Sequence, residues 1–440
     1  METLIKILQF FLCFTVIVGL HEFGHYAMAR LFKIRVEKFY IFFDPWFSLF
    51  KFKYKGTEYG LGWLPLGGYV KIGGMIDESM DKEQMAQPMR EDDFRAKPAW
   101  QRFLVMIAGV VMNLITAVVI YCAVCYVWGE SYLANEDIKL GYTFNQAAHD
   151  LGFEDGDRIL SIDEEPIDNY AHIATRLLLV DSDRKVVVSR GGEELTLTLP
   201  FDRLVELRRT KGYENFATPR LPMLIDSVTS EAARALLQRG DEVIGVADCT
   251  SGMDLSQIRE AIKQAADTTV LLHVQRGDEV LALTLPVASD GTVGIQLNAS
   301  PLPIRTREFT LLESIPAGFK RAGATVASYW EQLKLIVQPE TKMYEELGGF
   351  IAIGSIFAPE WNWLDFWLKT AFLSIILAVM NILPIPGLDG GHALFTFWEM
   401  ITGRKVSDRV LEIAQYIGLA ILLLLLLYAN GNDIYRFFVK

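Results

Sequence analysis

The run Ile7–Leu20 carries no charged residue and leads directly into His21-Glu22-Phe23-Gly24-His25. Side chains at i and i+4 of a helix share one face, so this spacing lets His21 and His25 offer imidazole nitrogens to one metal ion. Glu22 sits beside them, placed to take a proton from an attacking water. Five residues of this kind arise by chance in many chains. A membrane-grade helix leading into them does not suit a soluble zinc enzyme, and ionisable groups in such a segment are costly enough to point to function.

At 440 residues the chain has room for two or three domains. It is 51% apolar yet 22% charged, which fits a part-membrane, part-aqueous protein. A net charge of −12 argues against a nucleic-acid partner, which needs a basic surface. Four cysteines are too few for a disulfide scaffold, and the Cys122/Cys125 pair has no second pair to complete a metal knuckle. The N-terminus has the apolar core of a signal peptide but no small-residue cleavage site, so it reads as an uncleaved membrane helix.

Four segments qualify as membrane helices, at about 5–29, 103–128, 366–383 and 411–428. Basic residues crowd the loop from Arg30 to Lys55, and Arg404, Lys405 and Arg409 stand between the last two helices. By the positive-inside rule both loops are cytoplasmic, leaving the large region from Gly129 to Trp363 on the other side. In the first loop Phe50, Phe52 and Tyr54 alternate with Lys51, Lys53 and Lys55, and Ile34 and Val36 alternate with Arg35 and Glu37, which is strand periodicity. This β-rich loop, about 34–72, lies on the membrane or dips into it. The charged stretch 77–97 is expected to be a mobile loop.

The region after the second helix repeats itself loosely. Gly156-Asp157 and Gly240-Asp241 each sit between a turn and an apolar strand, and each is followed by a helical stretch and two alternating strands. Two consecutive α+β modules, 130–205 and 213–300, fit this spacing. Residues 305–362 read as a linker with an amphipathic helix that Pro316 breaks, and 363–440 returns to the membrane. The fold class expected is a polytopic α-helical membrane protein with four transmembrane helices, a β-rich loop and two α+β modules.

Catalytic zinc takes three protein ligands and one open position, so the His pair needs a third group. The third membrane helix ends in Asn381-Ile382-Leu383-Pro384-Ile385-Pro386-Gly387-Leu388-Asp389-Gly390-Gly391-His392. Alone, Asp389 reads more readily as the N-cap of a following helix after a helix-terminating turn. With the His pair at the same membrane depth it reads as the third ligand, with His392 as the competitor. His149, His172 and His273 belong to the soluble modules.

These two motifs resemble those of the site-2 protease family of intramembrane zinc metalloproteases. The family pattern Asn-x-x-Pro-x-Pro-x-Leu-Asp-Gly is matched at every fixed position from Asn381 to Gly390. Gly67-Gly68-Tyr69-Val70-Lys71 resembles the loop these enzymes place beside their site, and Gly109 and Asn113 match a Gly-x-x-x-Asn element. Val110 departs from the proline many bacterial relatives carry there. The two modules resemble tandem PDZ domains, as in the bacterial RseP-type branch.

The resemblance implies Zn2+ held by His21, His25 and Asp389, with Glu22 as general base. It gives Asn381, Gly67, Gly68, Tyr69 and Asn113 parts in binding substrate. It also implies a bacterial inner membrane location, PDZ modules in the periplasm and a site near the cytoplasmic side. The expected partners are the lipid bilayer and single-pass membrane proteins, either an anti-sigma factor or a remnant signal peptide. A membrane helix must unwind before its peptide bonds can be attacked, and an exposed strand edge between Ile34 and Val70 would accept it by β-augmentation. Proline at Leu61 or Trp63 would then remove a needed donor. No Gly-Leu-Gly-Phe-like loop precedes a matching strand in either module, which favours a size filter over a peptide binder. The competing class is a membrane-anchored PDZ scaffold with a structural metal, against which Glu22 argues, since a structural site needs no base.

Overall fold

The structure, a computed structural model, describes residues 2–64, 67–75, 88–178, 182–210, 212–213, 215–298, 302–338 and 347–439. The chain divides into two compact units, one of which is Glu130–Arg307. The other unit holds the two ends of the chain and Glu308–Val337.

This terminal unit is built from α1 (Glu2–Leu31), α2 (Ala99–Trp128), α3 (Leu311–Val337), α4 (Trp363–Ile382), α5 (Asp389–Thr402) and α6 (Asp408–Val439). Among the described residues, α1, α2, α4 and α6 are long and apolar enough to cross a membrane. These are the four segments expected from hydropathy. Small residues let the helices close up, as is usual in membranes. A Cβ built at Gly24 of α1 would lie 2.4 Å from the Ala108 carbonyl oxygen of α2.

Between α1 and α2 the chain forms a four-stranded sheet from β1 (Val36–Ile41), β2 (Phe43–Tyr54), β3 (Thr57–Leu64) and β4 (Tyr69–Ile72), in the order β2-β3-β1-β4. Leu61 pairs with Phe50 on one side and Ile41 on the other. Its strand is internal, so Leu61 does not lie on a docking edge. Among the described residues, the edge beside the cavity described below is β4, which pairs only with β1.

Part of the stretch expected to be mobile, 77–87, lies outside the described residues. The rest is docked. The Arg35 amide donates to Asp92 O and the Phe94 amide to Gly73 O, while buried Asp93 accepts from Arg35 at 3.2 Å. A buried carboxylate with a guanidinium partner holds the segment where composition alone predicts freedom.

The helix near 305–335 also differs from expectation. Ile304–Arg307 is a strand, and α3 runs through Pro316 unbroken. Pro316 is the sixth residue of α3, so the helix forgoes one bond to Leu312 O there and continues. Ala322 of α3 is buried with Ala117, Tyr121 and Val124 of α2 and Ala371 and Ile375 of α4, so this helix packs on two of the long apolar helices.

The Glu130–Arg307 unit contains two cores. The first gathers Ile159, Val186, Val188, Leu199 and Leu204, and extends past residue 205 to take in Leu207, Phe216 and Ala217. The second gathers Val243, Ile258, Ile262, Val270, Leu272 and Leu285. Their internal likeness is visible in one repeated pair. Asp157 accepts from Arg190 Nε and Nη2 at 2.8 and 2.7 Å, and Asp241 accepts from Arg276 Nε and Nη2 at the same distances. Both aspartates are 1% exposed, and both Arg Nη2 groups also reach a main-chain oxygen, Gly152 or Leu236. The unit's two ends are zipped together, with Glu130 opposite Arg307 and Leu133 opposite Ile304.

Candidate metal centre and active site

The last turns of α1 carry His21, Glu22 and His25. Both histidines are buried, at 6% and 7% exposed, and their rings meet edge to face. Asp389 opens α5 after the turn Leu383–Leu388, and α5 is anchored on α2 by an Arg102–Glu399 ion pair of 2.6 Å. The turn is tight. A Cβ at Gly390 would fall 2.3 Å from Leu383 O, and one at Gly391 would fall 2.6 Å from Ile385 O.

Three ligand-type atoms converge. Asp389 Oδ2 lies 3.1 Å from His21 Nε2 and 3.3 Å from His25 Nε2, and the two nitrogens are 3.2 Å apart. A tetrahedral ion with bonds of about 2.0–2.1 Å separates its ligand atoms by roughly 3.3 Å, so the triangle has the size zinc requires. Asp389 Oδ2 is buried and receives no well-formed hydrogen bond. An orphaned carboxylate oxygen facing two imidazole nitrogens fits a cation as its partner. Among the described residues, no other group of three such side chains is close enough to hold a metal ion.

A cavity of about 740 Å³ opens at this triangle. Glu22, Asn381, Tyr69, Val70 and His392 line it together with the three converging residues. Asn381 Nδ2 is 3.3 Å from His21 Nε2. Gly68 lies against the acid, for a Cβ there would be 3.3 Å from Glu22 Cγ and 2.7 Å from Tyr40 O. Tyr69 donates to Asp44 Oδ1 at 2.9 Å, and burial with that bond pushes its phenol well above the usual range. It is a fixed neutral donor.

Some expected site residues stand elsewhere. Gly67, at φ +146°, packs on the Phe43 ring and is not part of the cavity wall. Asn113, fully buried on α2, lies behind the ring of His21, at 3.2 Å from Nδ1, and also contributes nothing to that wall. His392 lines the cavity but is outside the converging triangle. The carbonyl of Val105, 2.8 Å from His25 Nδ1, leaves no mark in the sequence, because any residue supplies a carbonyl.

With this geometry in view, the match to known proteins is decisive. The description "Peptidase family M50" fits residues 9–425. This chain belongs to peptidase family M50. A protein of Xylella fastidiosa (strain 9a5c), carrying a zinc metalloprotease name, is 30% identical over 446 residues, covering 96% of both chains. The regulator of sigma E protease of Haemophilus influenzae is 28% identical over 97% of this chain and 98% of its own. Protease RseP of Yersinia pestis is 29% identical over 99% of this chain and all of its own. The M50 peptidase described here is therefore a membrane zinc metalloprotease.

Proposed function

We propose that this M50 peptidase cuts peptide bonds within membrane-spanning segments, and that His21, His25 and Asp389 hold its zinc while Glu22 is the general base. One observation carries the reading: three ligand atoms within 4.8 Å of one another meet at a cavity that Glu22 also lines, at the end of an apolar helix. Bound zinc supplies Lewis acidity, polarising the scissile carbonyl and making water deprotonate near neutral pH. Glu22 accepts the proton of the attacking water and returns it to the leaving amine. Asn381, at the cavity wall, supplies an amide to the substrate's unwound main chain. The free side of β4 gives that chain replacement hydrogen bonds by strand addition, with Gly68 allowing it close to Glu22.

The four apolar helices span a bacterial inner membrane, with the metal site towards the cytoplasm and the Glu130–Arg307 modules in the periplasm. The distribution of lysine and arginine supports this orientation. The modules are PDZ-like and act as a size filter that admits substrates already trimmed outside the membrane. The names of the Haemophilus and Yersinia relatives support a membrane-bound regulator of a sigma factor as substrate.

The test is cleavage of a reporter with a single membrane segment by purified protein in nanodiscs. Glu22→Gln is expected to bind zinc and lose at least ~10²-fold in rate, as removal of a general base does. A Glu22→Gln variant that cuts at the wild-type rate would exclude this mechanism and favour a scaffold with a structural ion.

A further inference from the structure

We infer that Asn113 is a positioning residue for the metal centre, its side-chain oxygen accepting a hydrogen bond from His21 Nδ1–H so that Nε2 is left bare for the ion. The inference rests on the reading of His21 as a ligand through Nε2.

The argument begins with one stripe of α2. Val105, Gly109 and Asn113 follow one another at i, i+4 and i+8, so they share a face, and that face is the seat of both imidazoles. Val105 gives its carbonyl to His25 Nδ1 at 2.8 Å. Gly109 gives space, since a Cβ there would be 2.3 Å from His25 Nε2 and 2.6 Å from His21 Cε1. The terminal amide of Asn113 reaches His21 Nδ1 at 3.2 Å.

Proton balance then assigns the role. A neutral imidazole has one N–H, and a ring that ligates through Nε2 carries it on Nδ1. In a site this buried, that N–H needs a protein acceptor. His25 has the Val105 carbonyl, and the group that reaches His21 Nδ1 is the Asn113 amide. Its nitrogen faces Nδ1 here, and a half-turn about χ2 replaces it with Oδ1, which has no other hydrogen-bond partner. With oxygen inward the amide accepts and Nε2 is bare. With nitrogen inward it donates to Nδ1 and drives the proton onto Nε2, where it blocks the ion. The backbone of Asn113 is held from behind, because Ser374 Oγ donates to its carbonyl at 2.8 Å. Such partners of ligating histidines typically change metal affinity by about 10–100-fold when removed.

The experiment measures zinc affinity of the full chain in detergent, by competition with a chromophoric chelator. Asn113→Leu has a similar volume and no acceptor, and is expected to bind zinc about 10–100-fold more weakly. Asn113→Asp presents only acceptor oxygens and should hold zinc within a few-fold of the wild type. Asn113→Ala serves as a second acceptor-free variant if leucine prevents folding, as read by far-ultraviolet circular dichroism. Wild-type affinity in the acceptor-free variants would overturn the inference, as would an equal loss in a folded Asn113→Asp. His21→Ala separates the two levels. If it retains zinc, the ligand assignment fails. If it loses zinc while Asn113→Leu does not, only the role of Asn113 fails.

Discussion

Gly109 and His25 are locked together by the absence of a side chain: a Cβ on Gly109 would stand 2.3 Å from His25 Nε2. The contact is with a ring already held by Val105 O, so neither partner can yield cheaply. Gly109→Ala is therefore expected to displace an imidazole and abolish zinc binding, measured by metal content after dialysis. Gly19→Ala on α1, with nothing within 4 Å of the added carbon, is the matched control and should keep its zinc.

The loop that delivers Asp389 is pressed against α6. A Cβ at Gly418 would fall only 1.4 Å from Pro386 O, a contact that forces either the helix or the loop to move. Overpacking of this kind costs about 1–3 kcal/mol. Gly418→Ala should lower both thermal stability and zinc occupancy. Gly431→Ala, on the same helix with open space around it, should change neither.

If substrate adds to β4, a cysteine at Lys71 should form a disulfide with cysteines placed near the scissile bond of a trapped substrate. The background would be Glu22→Gln with the native cysteines replaced. A cysteine at Lys51 on β2, the opposite edge of the sheet, should not crosslink. The reverse pattern, read on non-reducing gels, would move the docking edge to β2.

Acid should weaken the Glu130–Arg307 unit. Burial alone pushes the Asp241 and Asp254 carboxyls up. At Asp241, hydrogen bonds from Arg276 and the Gln238 amide outweigh it, and at Asp254 those from Ser256, the Gln257 amide and Arg220 do so. Both end below the usual carboxylate value of about 3.9. A folded-state value below the unfolded one gives stability that is complete above about pH 4 and is lost as pH falls through the folded value. Calorimetry of the full chain should show this transition falling below about pH 4. Arg276→Met leaves buried Asp241 with the Gln238 amide but without its cation, and should cost about 1–3 kcal/mol at neutral pH. The deficit should shrink in acid, where Asp241 is protonated.

Because Leu133 lies opposite Ile304, residues 134–303 can be excised and the ribbon closed with a short turn. The deletion is expected to keep zinc and to cut reporters that still carry a bulky outer domain. A folded deletion variant that cuts short reporters and still rejects long ones would place the filter elsewhere.

Local pattern was enough to read the four apolar helices, the helical His21/His25 pair, the strands at Phe50–Tyr54 and the duplicated turn at Asp157 and Asp241. Each depends on periodicity or spacing over a few residues, and that information is written along the chain. Asp389 was readable as a candidate because a carboxylate among prolines and glycines at the end of an apolar helix is costly and rare. Only the tertiary structure decided which strand edge was free, since Leu61 becomes internal through pairing with Ile41 on β1. It likewise placed the Asn113 amide 3.2 Å from His21 Nδ1, and gave His25 a carbonyl from Val105. Such roles depend on which face of α2 meets α1, and that is fixed by close approach at Gly24 and Gly109, contacts between residues far apart in the chain.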